Sequence, residues 1–447
     1  MFVIASLRRA PDVRPARNPR PTVPPCLRLA ALATLAALAT AVAPAFAQTG
    51  LPGRDVEGLL ELARAANPEF AAMRHESAAA LERPESAGAF PDPLVRVELM
   101  DITNAGTSAS PSLSPAKVGS TKYTVMQPLP WFGKRDARRE AAEAEAQAAS
   151  SRAEITWLDL ATRIKSAYAQ YYLAAESEKL TREVLDLLTR LESIAQARYA
   201  GGLAAQQDAI RAQVEQTTLR TDLVMIEAER RRTSARLNSL AARPAGAALA
   251  DPERLRPIPA PAQLQPADLE ERVRLRNPAV LAEAARVRSA GKQVELADLN
   301  RYPDVTVGVA PIQMGNRIGE WEVMFELSIP LQQSSRRAQE REARSMLEAA
   351  RSRQESATVS ALGDLAESLA ALDAARRSEN LVATSLLPQA ELTFQSALAG
   401  YENGRVDFAT LLDAQRQIRR AKQERLKSQA EARARLADIE RIVGADL

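Results

Sequence analysis

One cysteine (Cys26) and one histidine (His75) are all that 447 residues contain of the two side chains most used in metal and redox chemistry. A single thiol excludes a disulfide framework or a thiolate cluster. A single imidazole excludes a histidine-built zinc or iron site within the chain, and His75 reads as a helix-surface residue. There is no glycine-rich nucleotide loop, no nucleophile paired with histidine and no carboxylate pair in a catalytic setting, which argues against an enzyme and against a bound cofactor. Net charge is nearly absent too, at +3. The arginines ahead of Gln48 (Arg8, Arg9, Arg14, Arg17, Arg20 and Arg28) face only Asp12, so that stretch supplies the positive balance and the remainder is slightly acidic. A nucleic-acid partner is disfavoured on that ground. Aromatics are scarce at 4%. Ala, Glu, Arg and Leu are abundant, a composition of long helices rather than of the two or three compact domains that length alone suggests.

Long apolar runs are as rare as aromatics. Leu29–Val42 follows the arginines and leads to Ala45-Phe46-Ala47, a small-x-small sequence ahead of Gln48. Basic, apolar and small-residue segments in that order make an export signal over residues 1–47, cleaved after Ala47. A transmembrane anchor is the rival, but the apolar part spans only about 15–19 residues and the Ala-x-Ala end favours cleavage. Cys26 precedes the apolar run and is badly placed for lipid attachment. No later stretch reaches the ~18 apolar residues of a spanning helix, so a mature chain that enters a membrane does so as strands.

The chain then says nearly the same thing twice. Leu62 to Pro68 answers to Val273 to Pro278, both ending in Asn-Pro; Phe90-Pro91-Asp92 answers to Tyr302-Pro303-Asp304; Gln127-Pro128-Leu129-Pro130 answers more weakly to Ser328-Ile329-Pro330. Tyr199-Ala200-Gly201-Gly202 answers to Tyr401-Glu402-Asn403-Gly404, and Ala212-Gln213 to Ala414-Gln415. Residues 48–242 read as a helix, strands over roughly 92–104 and 119–128, a long helix, a turn near 199–204 and a return helix. Residues 267–447 repeat this order, with strands over roughly 304–311 and 320–329 and a turn near 401–406. The proline-rich stretch 243–266 is a connector, because proline cannot continue a helix.

Gly133–Arg198 and Gln333–Leu398, at ~1.5 Å per residue, are each roughly 100 Å of helix. Leu180, Val184, Leu187, Leu191 and Ile194 carry a coiled-coil rhythm. An ordinary helical bundle shares that periodicity, but globular helices average only ~11–12 residues. Pro388, opposite Asp186 in the first half, predicts a kink in one half only. Asp268 with Glu271 resembles a capping box opening the second half.

Four short segments switch to a period of two. Val95, Val97 and Leu99 alternate with Arg96, Glu98 and Met100; Thr121, Tyr123 and Val125 with Lys122, Thr124 and Met126; Val305, Val307 and Val309 with Thr306 and Gly308; Trp321, Val323, Phe325 and Leu327 with Glu320, Glu322, Met324 and Glu326. One face is apolar, as a barrel strand between lipid and water requires, although a half-buried soluble sheet gives the same alternation. The expected lumen residues are Arg96, Glu98, Lys122, Glu322 and Glu326. Phe90, Trp131, Phe132 and Tyr302 mark the helix-joining strand ends and Trp321 the opposite end, the distribution of an aromatic girdle. Four strands cannot close a barrel and an open edge cannot face lipid, so spanning requires oligomers; three copies give twelve strands. Met100, Met126 and Met324 fall on the polar register, where thioethers either touch soft cations or fill space.

The duplicated layout, the Asn-Pro pairs, the strand exit Gln127-Pro128-Leu129-Pro130-Trp131-Phe132-Gly133-Lys134-Arg135 and the Tyr-x-x-Gly turns together resemble the TolC family of outer-membrane efflux proteins, over nearly all of the chain after the signal. The strand exit is most like the heavy-metal cation branch. The resemblance implies a mainly α protein with a membrane β-barrel: a homotrimer with a twelve-stranded barrel in the outer membrane of a Gram-negative bacterium, contacting lipid there, and a twelve-helix tunnel reaching into the periplasm. It implies a passive exit duct for heavy-metal cations, docked to a periplasmic adaptor and an inner-membrane pump of the resistance-nodulation-division type. A duct for drugs or secreted proteins is the nearer alternative. A periplasmic adaptor is the other, but such a protein carries one hairpin between compact β modules rather than two hairpins and two strand pairs.

By the same resemblance the two turns form the adaptor-contacting tip. Gly201-Gly202-Leu203 resembles the family's Val-Gly-Leu, and Asn403-Gly404-Arg405 departs further from it. These glycines also suit simple helix C-caps. Past the second turn, Asp407, Thr410 and Asp413 are spaced three apart. Counted from the turn, Asp413 matches the second of two aspartates lining the family's entrance constriction, and Thr410 stands where the first would be. Asp208 is a further entrance candidate. A solvated helix face is the plain alternative for this set.

Overall fold

The order of elements recurs along the chain, and an asparagine caps a helix in each half. The computed structural model describes residues 51–104 and 110–447; the expected export signal and Ala47 cleavage site lie outside the described residues. The first half runs α1 (Val56–Ala66), α2 (Pro68–Gly88), β1 (Leu94–Met100), β2 (Ser120–Leu129), α3 (Lys134–Ala200) and α4 (Gln206–Leu240). The second runs α5 (Pro266–Arg276), α6 (Pro278–Leu299), β3 (Asp304–Met314), β4 (Arg317–Ser328), α7 (Gln333–Leu381), a π-turn (Val382–Leu386), α8 (Leu387–Glu402) and α9 (Phe408–Val443).

Asn67 ends α1 and caps α2: its Oδ1 accepts from the amides of Glu69 and Phe70 at 2.9 and 3.2 Å, and Pro68 supplies the fixed φ of a first helical residue. Its Nδ2 donates to the carbonyl of Leu240, the last residue of α4, at 2.9 Å. Asn277 caps α6 through the amides of Ala279 and Val280 and donates to the Ile442 carbonyl near the end of α9 at 2.8 Å. One side chain therefore closes two helix termini whose backbone groups have no partner of their own.

The remaining packing centres on α3. Its 67 residues at ~1.5 Å rise correspond to about 100 Å of unbroken helix. It packs against α2, α4, α6 and α9, while α7 packs against α6 and α9. Toward the turns the core holds Leu180, Val184, Leu188, Leu191 and Ala195 of α3 with Leu219, Tyr401, Phe408 and Leu411. Of the expected seam, Leu180, Val184 and Leu191 are buried in this core; Leu187 and Ile194 pack against it partly buried, beside the covered Leu188 and Ala195. A helix with neighbours on several sides at 3.6 residues per turn does not keep a two-stranded heptad seam.

The second long helix departs from the first at Pro388, which has no N–H to donate to the preceding turn. The chain accommodates it by a π-turn, with the Leu387 amide bonded to the Val382 carbonyl. The expected capping box at Asp268 does not form. Pro266 starts α5 two residues earlier, the N-cap Gln265 makes no side-chain cap bond, and Asp268 falls inside the first turn. The connector is tied down: Ala250 N donates to Pro52 O, Glu253 N to Arg54 O, and the Tyr168 hydroxyl to Arg254 O at 3.3 Å. Beside it, buried Glu440 binds Lys165 at 2.5 Å and Arg256 at 3.2 Å.

The strands form one antiparallel sheet in chain order, β1-β2-β3-β4. The two halves meet at β2–β3, where Val125 opposes Val309 and Met126 opposes Gly308. Among the described residues no helix is long and apolar enough to cross a membrane.

Candidate functional site

Strand register decides which side chains share a face. Arg96 lies opposite Thr124 and Glu98 opposite Lys122; across β3, Ala310 opposes Glu322 and Thr306 opposes Glu326. Arg96, Glu98, Lys122, Glu322 and Glu326 thus occupy a single face. Lys122 reaches over β3, past small Ala310, to an ion pair with Glu322. On the same face Met126 and Met324 close over Gly308, where an added Cβ would meet their Cγ and Cε at 3.1 and 3.2 Å. Packing accounts for these two methionines. The opposite face carries Val95, Val97, Val125, Val309, Val323, Phe325 and Leu327, all exposed in the single chain, Phe325 at 75%.

The aromatic set lies around the sheet's ends. Trp131 stacks on Tyr302 with centroids 5.3 Å apart and planes at 7°. Phe132 is edge-on to Trp131 and 87% exposed, and the Arg135 guanidinium lies over the Phe90 ring at 3.4 Å. Trp321 stands exposed at the hairpin end of β4. The clamp beneath this set escaped the sequence reading. Buried Lys134 donates to Asp304 Oδ1 at 2.8 Å and to the Tyr302 carbonyl at 3.0 Å, and the Trp131 amide donates to the same carboxylate. The strand exit of the first half is thereby bonded to the strand entry of the second.

The two turns are built alike. Gly202 has φ +73° and Gly404 φ +71°, left-handed conformations that suit glycine. In the first turn Leu203 N donates to Arg198 O and Gly202 N to Tyr199 O; in the second Arg405 N donates to Gly400 O and Gly404 N to Tyr401 O. Both are Schellman closures, which satisfy the last carbonyls of a helix. Gly201 and Asn403 hold the position before the left-handed residue, and Leu203 at the first turn is 72% exposed. Arg198 joins the turns: Nη1 donates to the Glu402 carbonyl at 2.6 Å, and the guanidinium stands 5.0 Å from the Tyr401 ring centre.

The entrance candidates divide into separate arrangements. Asp407 is the N-cap of α9, accepting from the amide and hydroxyl of Thr410, and those bonds hold its carboxyl below the ordinary range. Asp208 goes the other way: burial, with Asp407 nearby, raises it against the pull of Arg211 and Arg198. Asp413 is exposed and accepts from Arg416 Nη1 at 3.1 Å. Arg416 also binds Glu215 of α4 at 2.6 Å, a carboxylate only 4% exposed. The Asp413–Arg416 spacing was visible in the sequence; Glu215 was not, because it comes from another helix. Thr410, Asp413, Gln417, Arg420, Glu424 and Lys427 follow alternating spacings of three and four, one exposed stripe of α9. The last four also line a cavity of about 840 Å³ between the hairpins, walled by Leu173, Ile226 and Gln389 among others.

The family described as outer membrane efflux protein matches this chain over residues 59–243 and 269–445. The cobalt-zinc-cadmium resistance protein CzcC of Cupriavidus metallidurans is 26% identical over 333 residues, covering 73% of this chain and 78% of that protein. Among solved structures, the outer membrane protein VceC of Vibrio cholerae superposes with a TM-score of 0.73 at 18% identity, covering 88% of this chain and 96% of that one. CusC gives 0.74 at 17% identity, covering 88% and 92%. The outer membrane channel MtrE of Neisseria gonorrhoeae, in its open state, gives 0.70 at 18% identity, covering 88% and 91%.

Proposed function

The chain belongs to the outer membrane efflux protein family, and from that premise we propose that three copies form the exit duct of a tripartite efflux system. Each copy contributes four strands to a twelve-stranded barrel and two helical hairpins, one from each of its two repeats, to a periplasmic tunnel. The observation that carries this reading is the sheet: one face apolar and exposed, the other charged, both edges unpaired among the described residues, with a helix about 100 Å long leading from it. In water such a sheet is a liability; closed into a barrel, its apolar face meets lipid and its charges line a wet lumen. The aromatic set then lies at the interfaces.

The paired turns, with Gly201, Gly202, Leu203, Asn403, Gly404 and Arg405, offer the far end to a periplasmic adaptor. Asp413 lies on an exposed stripe near that end, where threefold symmetry would make it a ring of carboxylates that concentrates cations. Family membership and the relative named for cobalt, zinc and cadmium resistance support divalent heavy-metal cations as cargo. Conduction is passive, and the driving energy comes from an inner-membrane pump of the resistance-nodulation-division type.

Exported protein should fractionate with the outer membrane, run as a trimer and form ion-conducting channels in planar bilayers. Recovery wholly in the soluble periplasm would sink the duct. Loss of the protein should lower tolerance to zinc, cobalt or cadmium; unchanged tolerance with intact channels would remove the metal cargo and leave the duct.

A further inference from the structure

β1 and β4 are the two edges of the sheet, each with a row of backbone donors and acceptors that meets no strand among the described residues. β4 is 12 residues long and carries exposed Trp321, Val323, Phe325 and Leu327 on its apolar face. An edge of this kind recruits another strand in water and cannot stay open in hydrocarbon.

The charged face says which strand fits. Arg96 of β1 has one carboxylate within ion-pair reach among the described residues, Glu98 on its own strand at 3.9 Å. On β4, Glu322 is taken by Lys122, whereas Glu326 has no cation within ion-pair reach among the described residues. Leu94 opens β1 and Ser328 closes β4, and both of those ends lead toward the helices. Antiparallel docking with these ends level sets Arg96 opposite Glu326, each two residues inside its strand and on the same face. Val95 and Val97 then continue the apolar face of Leu327 and Phe325.

Closing three such sheets into one barrel sets β1 of one copy beside β4 of the next, and we propose that an Arg96–Glu326 ion pair between copies fixes the register. This rests on the trimeric reading and adds a register that the trimer alone does not specify. A slip of one residue would turn Arg96 onto the apolar face, and a slip of two would set it opposite Met324 or Ser328 and leave Glu326 alone. Opposite charges facing each other across antiparallel strands favour the matched register over both.

The test uses the full chain extracted from outer membranes, with trimer measured on semi-native gels and by mass photometry over a temperature series. Arg96→Glu and Glu326→Arg should each lose most of the trimer at a temperature where the wild type stays intact, and the double reversal should recover it. Singles without effect, or a double no better than either single, would overturn the pairing while leaving the trimer standing. The paired substitutions Arg96→Cys and Glu326→Cys give a second measurement that does not depend on charge. Together they should give a ladder linked between copies that neither single gives; intact trimers without that ladder would also overturn it. A wild type with no trimer at all would defeat the duct reading itself.

Discussion

In the first half α3 runs unbroken from Lys134 to Ala200, whereas the second half reaches its turn through α7, a π-turn and α8. The hairpins nevertheless end alike. Both turns close with the same pair of backbone bonds around a left-handed glycine, and both return helices are held at their far end by an asparagine. The charges differ again: the first-half position corresponding to Asp413 carries Arg211. Helix termini leave backbone groups that must be satisfied, so few solutions exist there and the halves share them. A helix middle satisfies its own backbone, and its exposed side chains are free to diverge. The shared ends therefore read as scaffold, and the unshared stripe of α9 as the place where the halves do different work.

The largest effect should come from forcing the halves to match in the middle. Asp186 stands on an exposed side of α3 at the position that corresponds to Pro388. Asp186→Pro removes a helix hydrogen bond without the accommodating π-turn and should cost about 3 kcal/mol, read from urea unfolding of the purified protein. Pro388→Ala should cost far less, because Ala fits the turn already formed. If Asp186→Pro costs under about 1 kcal/mol, α3 can adopt a π-turn too, and the contrast between the hairpins is one of sequence rather than of structure.

A smaller effect should separate the two asparagines, though both are 6% exposed. Asn277→Ala loses a helix cap and leaves the Ile442 carbonyl unbonded in a buried setting, together worth about 2 kcal/mol. Asn67→Ala loses the same two functions, but the Leu240 carbonyl lies in a partly buried setting and can recover water, so its cost should be smaller. The same unfolding curves measure both. Equal costs would mean that the cap, common to the two, accounts for the whole effect.

How far the sequence could be read follows from the range of each interaction. Strand alternation is local, so the face shared by Arg96, Glu98, Lys122, Glu322 and Glu326 was legible, and the register agrees with it. The Asn-Pro pairs were legible as a recurring motif, but their bonds to Leu240 and Ile442 join residues far apart in the chain. The same limit hid the Lys134–Asp304 clamp and the Glu215 partner of Arg416. The misread capping box failed locally: Asp268 and Glu271 had the right spacing, but Pro266 is an earlier helix start and took precedence. The α3 seam was legible at Leu180, Val184 and Leu191, but the added cover of Leu188 and Ala195 was not, because periodicity says how often a helix is covered, not from how many sides.

The smallest effect on stability should come from Asp413, and that substitution tests whether the halves separate by function. Its ion pair with Arg416 is exposed, so Asp413→Ala should change stability by no more than about 1 kcal/mol. Arg416 keeps its bond to buried Glu215, which holds the guanidinium in place once Asp413 is gone. In a trimer the substitution would remove three carboxylates and leave three guanidiniums each balanced by Glu215, so the local charge would go from net negative to neutral without a change of fold. Cations should be concentrated less at the entrance, and block by divalent ions should weaken, over a range limited by a Debye length of about 8 Å at physiological salt. Single-channel recordings on purified trimers, with and without divalent ions, measure both. Arg211→Ala in the first half is the matched control, since it alters the corresponding position of the other hairpin. A weakened block in Asp413→Ala alone would assign the entrance to the second half; a matching but opposite change in Arg211→Ala, which removes a positive charge, would make the entrance a property of overall charge. If conductance and block in Asp413→Ala match the wild type, Asp413 is a solvated helix residue and the functional contrast between the hairpins must be sought elsewhere.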